Sequence, residues 1–305
     1  MHPSRTDGNE LTTKTTCRIA SDVDLLSRTQ LAEVVKLLDA YGHKHAIDFI
    51  TPEEPESLKQ LRANPSSPER MAVLMSMLLD GECDALVLDA AMLSAKLPAG
   101  LTIGALTSRI TPYDALLSND DCILDQRREA QLRYYRPDLK IVRMQGSIDS
   151  ILQKVKSAKV DCAVVAAADV ERLSKQDAVA ELLTNSVCVP CAGQGALAVL
   201  IRSSEEQFRD TVQSINDPST HGMLRAEWSF LEHLEVDPAA PVAVLASIEG
   251  KALELEGMVA YPDGSEKIQC MVKGTIGNEE DLGRTLAIEL LDSGGREVIE
   301  EFRLA

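Results

Sequence analysis

Short and fully apolar segments recur along this chain, and they constrain its fold more than any other feature. Ala85–Leu88, Cys162–Ala166 and Ala196–Ile201 are typical of buried strands, because a strand covered on both faces loses the alternation of polar and apolar residues. Segments with helical spacing, such as Leu25–Tyr41 and Glu69–Asp80, lie between strands of this kind. The alternation predicts an α/β fold with parallel-rich sheets.

The pattern changes near the carboxyl end of the chain. After a predicted helix at Pro218–Leu234, three extended segments follow one another as a β-meander at Val242–Ile248, Ala252–Ala260 and Lys267–Lys273. A final helix is predicted at Glu279–Ser293. This order of elements indicates a separate small α+β domain.

The remaining predictions complete the α/β pattern. They comprise four strands (Cys17–Ala20, Ala46–Ile50, Ala115–Ser118, Lys140–Met144), three helices (Asp125–Tyr135, Ile148–Ala158, Ser204–Ile215) and a mobile loop at Pro52–Pro68.

Composition excludes several classes of partner. The net charge of −17 over 305 residues argues against nucleic acid and against anionic membrane surfaces. The polar segment Met1–Thr16 has no apolar core of a signal peptide, so a cytoplasmic location with seven reduced cysteines is expected. Cys188 and Cys191 form a CxxC that could be a redox pair or half a metal site. Two buried thiols are favoured, since no further CxxC or nearby histidine completes a metal set.

Motifs in a fixed order carry a family resemblance. They are Pro112-Tyr113-Asp114-Ala115, then Arg127-Arg128, then Gly193-Gln194-Gly195-Ala196, and finally Ala226–Glu235. With these motifs the chain resembles the porphobilinogen deaminase family, also called hydroxymethylbilane synthase, over nearly its full length.

The resemblance implies three domains. Residues 17–106 and 186–217 are expected to form a discontinuous first lobe, residues 107–185 a second lobe and residues 218–305 the α+β domain, after a disordered tail at 1–16. In that family the two lobes resemble those of type II periplasmic binding proteins, and the segments that cross between them act as hinges. The cleft between the lobes is therefore the expected site.

The resemblance also implies a chemistry. The family joins porphobilinogen units into hydroxymethylbilane, starting from a dipyrromethane attached through a thioether to a cysteine of the third domain. One aspartate transfers protons and stabilises cationic pyrrole intermediates. Arginines bind the acetate and propionate groups, because a guanidinium matches a carboxylate with two parallel hydrogen bonds.

This chain departs from the family at the positions that carry the chemistry. Met92 stands at the position of the aspartate and Pro238 at that of the cysteine, so no cofactor is expected. Asp22 reverses the charge at an arginine position, and the glycine- and lysine-rich segment of the family has become Ser66–Arg70. The family's Arg-Gly-Asn motif begins here with Gln145.

Five residues are the candidate site. Arg127 and Arg128 survive from the family's motif, and with Gln145 and Ser147 they are predicted to bind a ligand; an exposed basic helix face is the alternative for the two arginines. Asp89 is the carboxylate that could replace the missing aspartate, and a helix cap is the favoured alternative.

These observations predict a homologue of hydroxymethylbilane synthase in tetrapyrrole and haem biosynthesis that is catalytically degenerate. Two alternatives stay open: an active synthase with relocated groups, and a two-lobed cytoplasmic binding protein unrelated to pyrroles. The expected partner is a small carboxylate-bearing molecule such as a pyrrole, bound by a monomer, with neither nucleic acid nor membrane involved.

Overall fold

The computed structural model describes residues 16–43, 47–49, 68–94, 96–117, 122–123, 126–141, 148–157, 162–236 and 240–304. In these residues the strands form three sheets, and helices cover them. Two sheets mix parallel and antiparallel pairs, and the third is purely antiparallel. The chain therefore folds as two α/β lobes followed by a small α+β domain.

The first sheet contains five strands in the order β2-β1-β3-β9-β4. Its strands are β1 (Cys17–Ala20), β2 (Ile47–Phe49), β3 (Ala85–Asp89), β4 (Leu101–Leu106) and β9 (Leu197–Arg202). β1 runs parallel to both β2 and β3, whereas β9 runs antiparallel to β3 and β4. The first lobe is thus completed by a strand that lies far downstream in the sequence.

In the sequence, the described strands of the second sheet lie between β4 and β9 of the first sheet. Its order is β6-β7-β5-β8, formed by β5 (Asp114–Leu117), β6 (Cys122–Ile123), β7 (Cys162–Ala166) and β8 (Val179–Leu183). The third sheet is the predicted meander of β10 (Val242–Glu249), β11 (Ala252–Ala260) and β12 (Lys267–Thr275).

Helices pack on the sheets and link them. They are α1 (Leu25–Ala40), α2 (Pro68–Leu79), α3 (Gln126–Tyr135), α4 (Ile148–Lys156), α5 (Ala167–Arg172), α6 (Arg209–Gln213), α7 (Pro218–Leu234), α8 (Glu279–Leu290) and α9 (Arg296–Leu304). None of the helices in the described residues is both long and apolar enough to cross a bilayer.

One apolar core joins the first lobe to the third domain. Leu86 and Leu200 of the first sheet belong to the same buried cluster as Leu255 and Leu286 of the third domain. Trp228 of α7 lies in this cluster too. Burial of this shared apolar surface fixes the third domain against the first lobe.

Most predicted elements are present, with some corrections. The helix predicted at Ser204–Ile215 is reduced to α6, because the polar residues before it form turns. Residues 140 and 141 of the strand predicted at Lys140–Met144 are not in a strand, and the rest of it lies outside the described residues, as does the predicted loop up to residue 67. Cys162 is disulfide-bonded, so the expectation of seven reduced cysteines is wrong there.

Candidate functional site

Two segments cross between the lobes, one after β4 and one before β9. They approach each other at Gly195, whose carbonyl oxygen accepts a hydrogen bond from the Ile110 backbone N–H at 3.1 Å. Gly195 has a φ of +91°, and a Cβ atom there would lie 2.9 Å from the Thr111 carbonyl oxygen. This close backbone contact therefore requires a glycine at position 195.

Asp114, at the start of β5, is the centre of the first charged cluster in the cleft. Arg127 donates to its Oδ2 from both Nη atoms at 3.0 Å, and Arg128 donates to its Oδ1 from Nε at 3.0 Å and Nη2 at 2.7 Å. The Asp114 side chain has no exposed surface, and those of Arg127 and Arg128 are 8% and 14% exposed. The alternative of an exposed basic helix face is therefore wrong.

Further contacts tie this cluster to the crossing segment. Gln194 Nε2 donates to Asp114 Oδ1 at 2.9 Å and to the Pro112 carbonyl oxygen at 2.7 Å. The Cys188 thiol donates to Asp114 Oδ2 at 3.3 Å. Burial opposes ionisation of Asp114, but Arg127 and Arg128 outweigh it and hold the pKa of this carboxyl well below its usual range. Asp114 is thus ionised at neutral pH and offsets one of the two positive charges of the arginine pair.

Asp89 lies at the end of β3, where it faces the second lobe. Its Oδ1 accepts from the Ala91 amide at 2.9 Å and caps a single 3₁₀ turn, Ala90–Met92, which confirms the helix-cap interpretation. Its Oδ2 lies 3.4 Å from Gln30 Nε2 and 3.9 Å from Arg172 Nη1. Burial raises the pKa of Asp89 despite the opposing charge of Arg172.

Asp169 and Arg172 on α5 complete this second charged cluster, and the sequence reasoning missed both. Arg172 Nη1 lies 3.9 Å from Asp169 Oδ1, and neither of these buried atoms has a hydrogen-bond partner among the described residues. Burial, and then the charge of Asp89, raise the pKa of Asp169 to about 7. The cleft therefore holds two carboxylates that resist ionisation, which is an arrangement common at sites of proton transfer.

The reversed charge at Asp22 has a partner in the structure. Arg70 at the start of α2 donates to both carboxylate oxygens of Asp22, and both side chains are buried. Asp22 is therefore not an isolated loss of positive charge but one half of a buried ion pair within the first lobe.

Glu227 of α7 joins all three parts of the chain. Its carboxylate accepts from Arg109 Nη1 at 2.5 Å, from the Gly193 amide at 2.7 Å and from the Ala246 amide at 2.8 Å. Arg109 in turn donates from Nε to the Gln194 carbonyl oxygen at 2.8 Å. One fully buried carboxylate thus fixes both crossing segments against the third domain.

The other predicted positions are placed as follows. Gln145 and Ser147 lie outside the described residues, as does Pro238. Met92 is half-buried and packs against the apolar core, so this side chain cannot transfer protons. Asp89 lies between the lobes as expected, but Arg172, its charged neighbour, comes from a helix that the sequence did not predict.

The fold and this cleft define a two-lobed protein with charged groups gathered between its lobes. The chain matches family models described as "Porphobilinogen deaminase, dipyromethane cofactor binding domain" over residues 17–210 and "Porphobilinogen deaminase, C-terminal domain" over residues 223–292. It is 35% identical to the porphobilinogen deaminase of Pelotomaculum thermopropionicum over 242 residues, which are 75% of this chain and 78% of the relative. It is 36% identical to the porphobilinogen deaminase of Moorella thermoacetica over 238 residues, which are 74% of this chain and 76% of the relative.

The chain therefore belongs to the porphobilinogen deaminase family, which links it to tetrapyrrole and haem biosynthesis. Its two α/β lobes and its small α+β domain agree with the predicted fold class. Among solved structures it is similar to the methionine binding protein MetQ, with 10% identity, a TM-score of 0.42 and coverage of 68% of this chain and 93% of that one.

One expectation is overturned by these comparisons. The chain was expected to use no cofactor, and this is wrong, because the family model matched over residues 17–210 is a dipyrromethane cofactor binding domain. The carboxylates of that group would compete with Asp114 for Arg127 and Arg128, because Asp114 contacts both guanidiniums.

Proposed function

We propose that this chain is a cytoplasmic, monomeric member of its family that binds a small carboxylate-bearing pyrrole and converts porphobilinogen slowly or not at all. The observation that supports slow or absent turnover is the internal pairing of the buried arginines. In the cleft, Arg127 and Arg128 face Asp114. Arg172 faces the carboxyl groups of Glu33, Asp89 and Asp169. Such a cleft offers little net positive charge to substrates rich in acetate and propionate.

The proton chemistry supports the same proposal. A positioned acid–base group contributes typically about 10²–10⁴-fold to a rate. Met92 occupies the position of that group, and a thioether neither accepts a proton at neutral pH nor stabilises a developing positive charge. Slow turnover is therefore expected even where a pyrrole binds.

Activity is tested by the conversion of porphobilinogen to hydroxymethylbilane, measured as the porphyrin formed after oxidation. The porphobilinogen deaminase of Moorella thermoacetica, prepared in the same way, is the positive control. We expect a rate at least about 10²-fold below that control. The intact mass of both samples is recorded, so that an incompletely loaded preparation is not taken for an inactive enzyme. A rate close to that of the control would contradict the proposal.

Binding is tested by calorimetric titration of porphobilinogen and of succinate into the wild-type chain and an Arg128→Gln variant. Arg128 is the more exposed of the two arginines at Asp114, so a ligand carboxylate reaches it first. A hydrogen bond to a charged group contributes about 1.5–3 kcal/mol, so Arg128→Gln should weaken binding by about 10-fold or more. Arg136→Gln, which changes an exposed arginine of the same lobe, is the control. Equal affinities in the two variants, or no porphobilinogen binding, would contradict the proposed ligand. Binding of succinate alone would favour a binding protein unrelated to pyrroles.

A second candidate function is supported by the carboxylate pair in the cleft. Asp89 and Asp169 both face Arg172, and a pair of carboxyls with raised pKa values can donate and accept protons near neutral pH. In this alternative the chain is an active synthase whose proton transfer has moved from position 92 to this pair. Turnover comparable with the control enzyme, lost in both Asp89→Asn and Asp169→Asn, would favour it over the first proposal.

A further inference from the structure

The two lobes meet through a small group of polar side chains that comes from both of them. Asp89 ends a strand of the first sheet, whereas Asp169 and Arg172 lie on α5, which directly follows β7 of the second sheet. Arg172 also donates from Nε to Glu33 of α1 at 2.9 Å and from Nη2 to the Gly195 carbonyl oxygen at 3.1 Å. Arg172 of the second lobe is thus held by the first lobe and by a crossing segment.

The charges in this contact do not balance when all carboxyls are ionised. The Arg172 side chain is 2% exposed and lies close to three carboxyls, those of Glu33, Asp89 and Asp169. Its Nη1 lies 3.9 Å from one oxygen of Asp89 and from one oxygen of Asp169, and it forms no hydrogen bond to either. Two carboxyls thus lie at the same distance from one guanidinium nitrogen, and neither forms the hydrogen bond with it that would stabilise two anions there.

We infer that Asp89, Asp169 and Arg172 form a proton-dependent latch, which closes the lobes when one of the two carboxyls is protonated and releases them when both are ionised. In the closed state the Asp89 and Asp169 side chains are 15% and 16% exposed, and both lie beside Arg172. Opening of the cleft would hydrate both carboxylates and remove their mutual repulsion. This inference does not depend on the proposed ligand, because the latch is built from the chain alone.

The surrounding charges set the direction of the response. The groups that act on the two carboxyls come from five elements or segments: Glu33 of α1, Arg109 after β4, Asp114 of β5, Arg128 of α3 and Arg172 of α5. Burial and then Asp89 raise the pKa of Asp169 to about 7, above an ordinary value of about 4. The closed state therefore holds a proton that the open state releases, so closure is favoured at low pH and weakens as pH rises towards 7.

The distance between the lobes is the direct test. Spin labels are attached through non-canonical amino acids at Lys36 of α1 and Gln176 beyond α5, which are both exposed, in the full-length chain with its native cysteines. Pulsed electron resonance then gives the distribution of label distances at pH 6 and pH 8 at constant salt. With one linked proton and a pKa of about 7 in the closed state, the ratio of closed to open molecules should fall about tenfold between these pH values.

Two variants and a control complete the test. Asp169→Asn imitates the protonated carboxyl and should stay closed at both pH values, whereas Asp89→Asn should move the transition to lower pH. Asp177→Asn changes an exposed carboxylate of the same lobe and should behave as the wild type. A wild-type distribution that does not change with pH would overturn the latch, as would an equal pH response in Asp169→Asn. If Asp169→Asn does not fold, an unshifted transition in Asp89→Asn would also overturn it.

Discussion

Asp114→Asn should destabilise the chain far more than its small change in size suggests. In the wild type one carboxylate receives four hydrogen bonds from two guanidiniums, one from Gln194 and one from the Cys188 thiol. The substitution removes the negative charge that Arg127 and Arg128 both contact, and it turns an amide donor towards other donors. The two guanidiniums would then remain buried without this counter-charge.

The size of the effect follows from the burial. Loss of one partner from a buried ion pair costs about 3–5 kcal/mol, and here a single carboxylate serves two arginines, so we expect the upper part of that range. The folded pKa of Asp114 is lowered, so its stabilisation is present at pH 7 and is lost as pH falls below its ordinary value of about 4. The comparison is therefore made at pH 7, where the wild-type carboxylate is fully ionised.

The assay is urea-induced unfolding followed by far-ultraviolet circular dichroism. Asp138→Asn is the matched control, because Asp138 forms an exposed pair with Arg136 in the same lobe, and its loss should leave the unfolding midpoint unchanged. Combining Asp114→Asn with Arg128→Gln should recover part of the lost stability, since one uncompensated charge is removed. If Asp114→Asn is no more destabilising than the control, the arginines do not depend on this carboxylate and the reasoning is refuted.

Three further predictions concern the hinge, the interdomain contact and the response to pH. Gly195→Ala should lower the free energy of unfolding by about 1–3 kcal/mol, because the added methyl group would clash with the Thr111 carbonyl. Gly42→Ala should lower it less, because Gly42 has a similar φ but open space around it. Equal urea midpoints of the two variants would contradict this. Glu227→Ala should lower the free energy of unfolding by about 3–5 kcal/mol, because this buried carboxylate fixes the crossing segments against the third domain. Glu280→Ala, which changes a mostly exposed carboxylate, should alter it little. A larger effect of Glu280→Ala in urea titrations would contradict this role of Glu227. The free energy of unfolding of the wild type should fall between pH 5 and pH 7, because folded Asp169 holds a proton that the unfolded chain releases. Asp169→Asn should lack this component. Parallel pH profiles of the two proteins would contradict the prediction.

The sequence predicts those parts of the fold that depend on local apolar pattern. The strands at Cys17–Ala20, Cys162–Ala166 and Ala252–Ala260 have the predicted bounds, because their residues are buried or alternate clearly. Strand β8 was not predicted, since three of its five side chains are exposed at a sheet edge and the pattern is weak. The short helix α5 was missed for a related reason: its apolar residues continue those of β7 without a break.

The sequence predicted several members of the candidate site, but not the side chains that contact them. Arg127, Arg128 and Asp89 could be selected from the family resemblance, yet the carboxylates that neutralise or perturb them come from distant parts of the chain. Asp22 looked like a lost positive charge because Arg70, which pairs with it, is 48 residues away in the sequence. Spatial pairing of charges across two lobes leaves no periodic signal in the sequence, so its discovery required the structure.

The position of β9 in the first sheet determines the order in which the lobes can be finished during synthesis. All strands of the second sheet lie between Asp114 and Leu183, so that sheet is complete before β9 at Leu197–Arg202 has been translated. Until then β3 lacks one neighbour and β4 lacks its pairing partner, although both were made much earlier. The lobe that begins the chain is therefore the later of the two to fold, and its apolar strand edges stay exposed on the ribosome while the middle lobe forms.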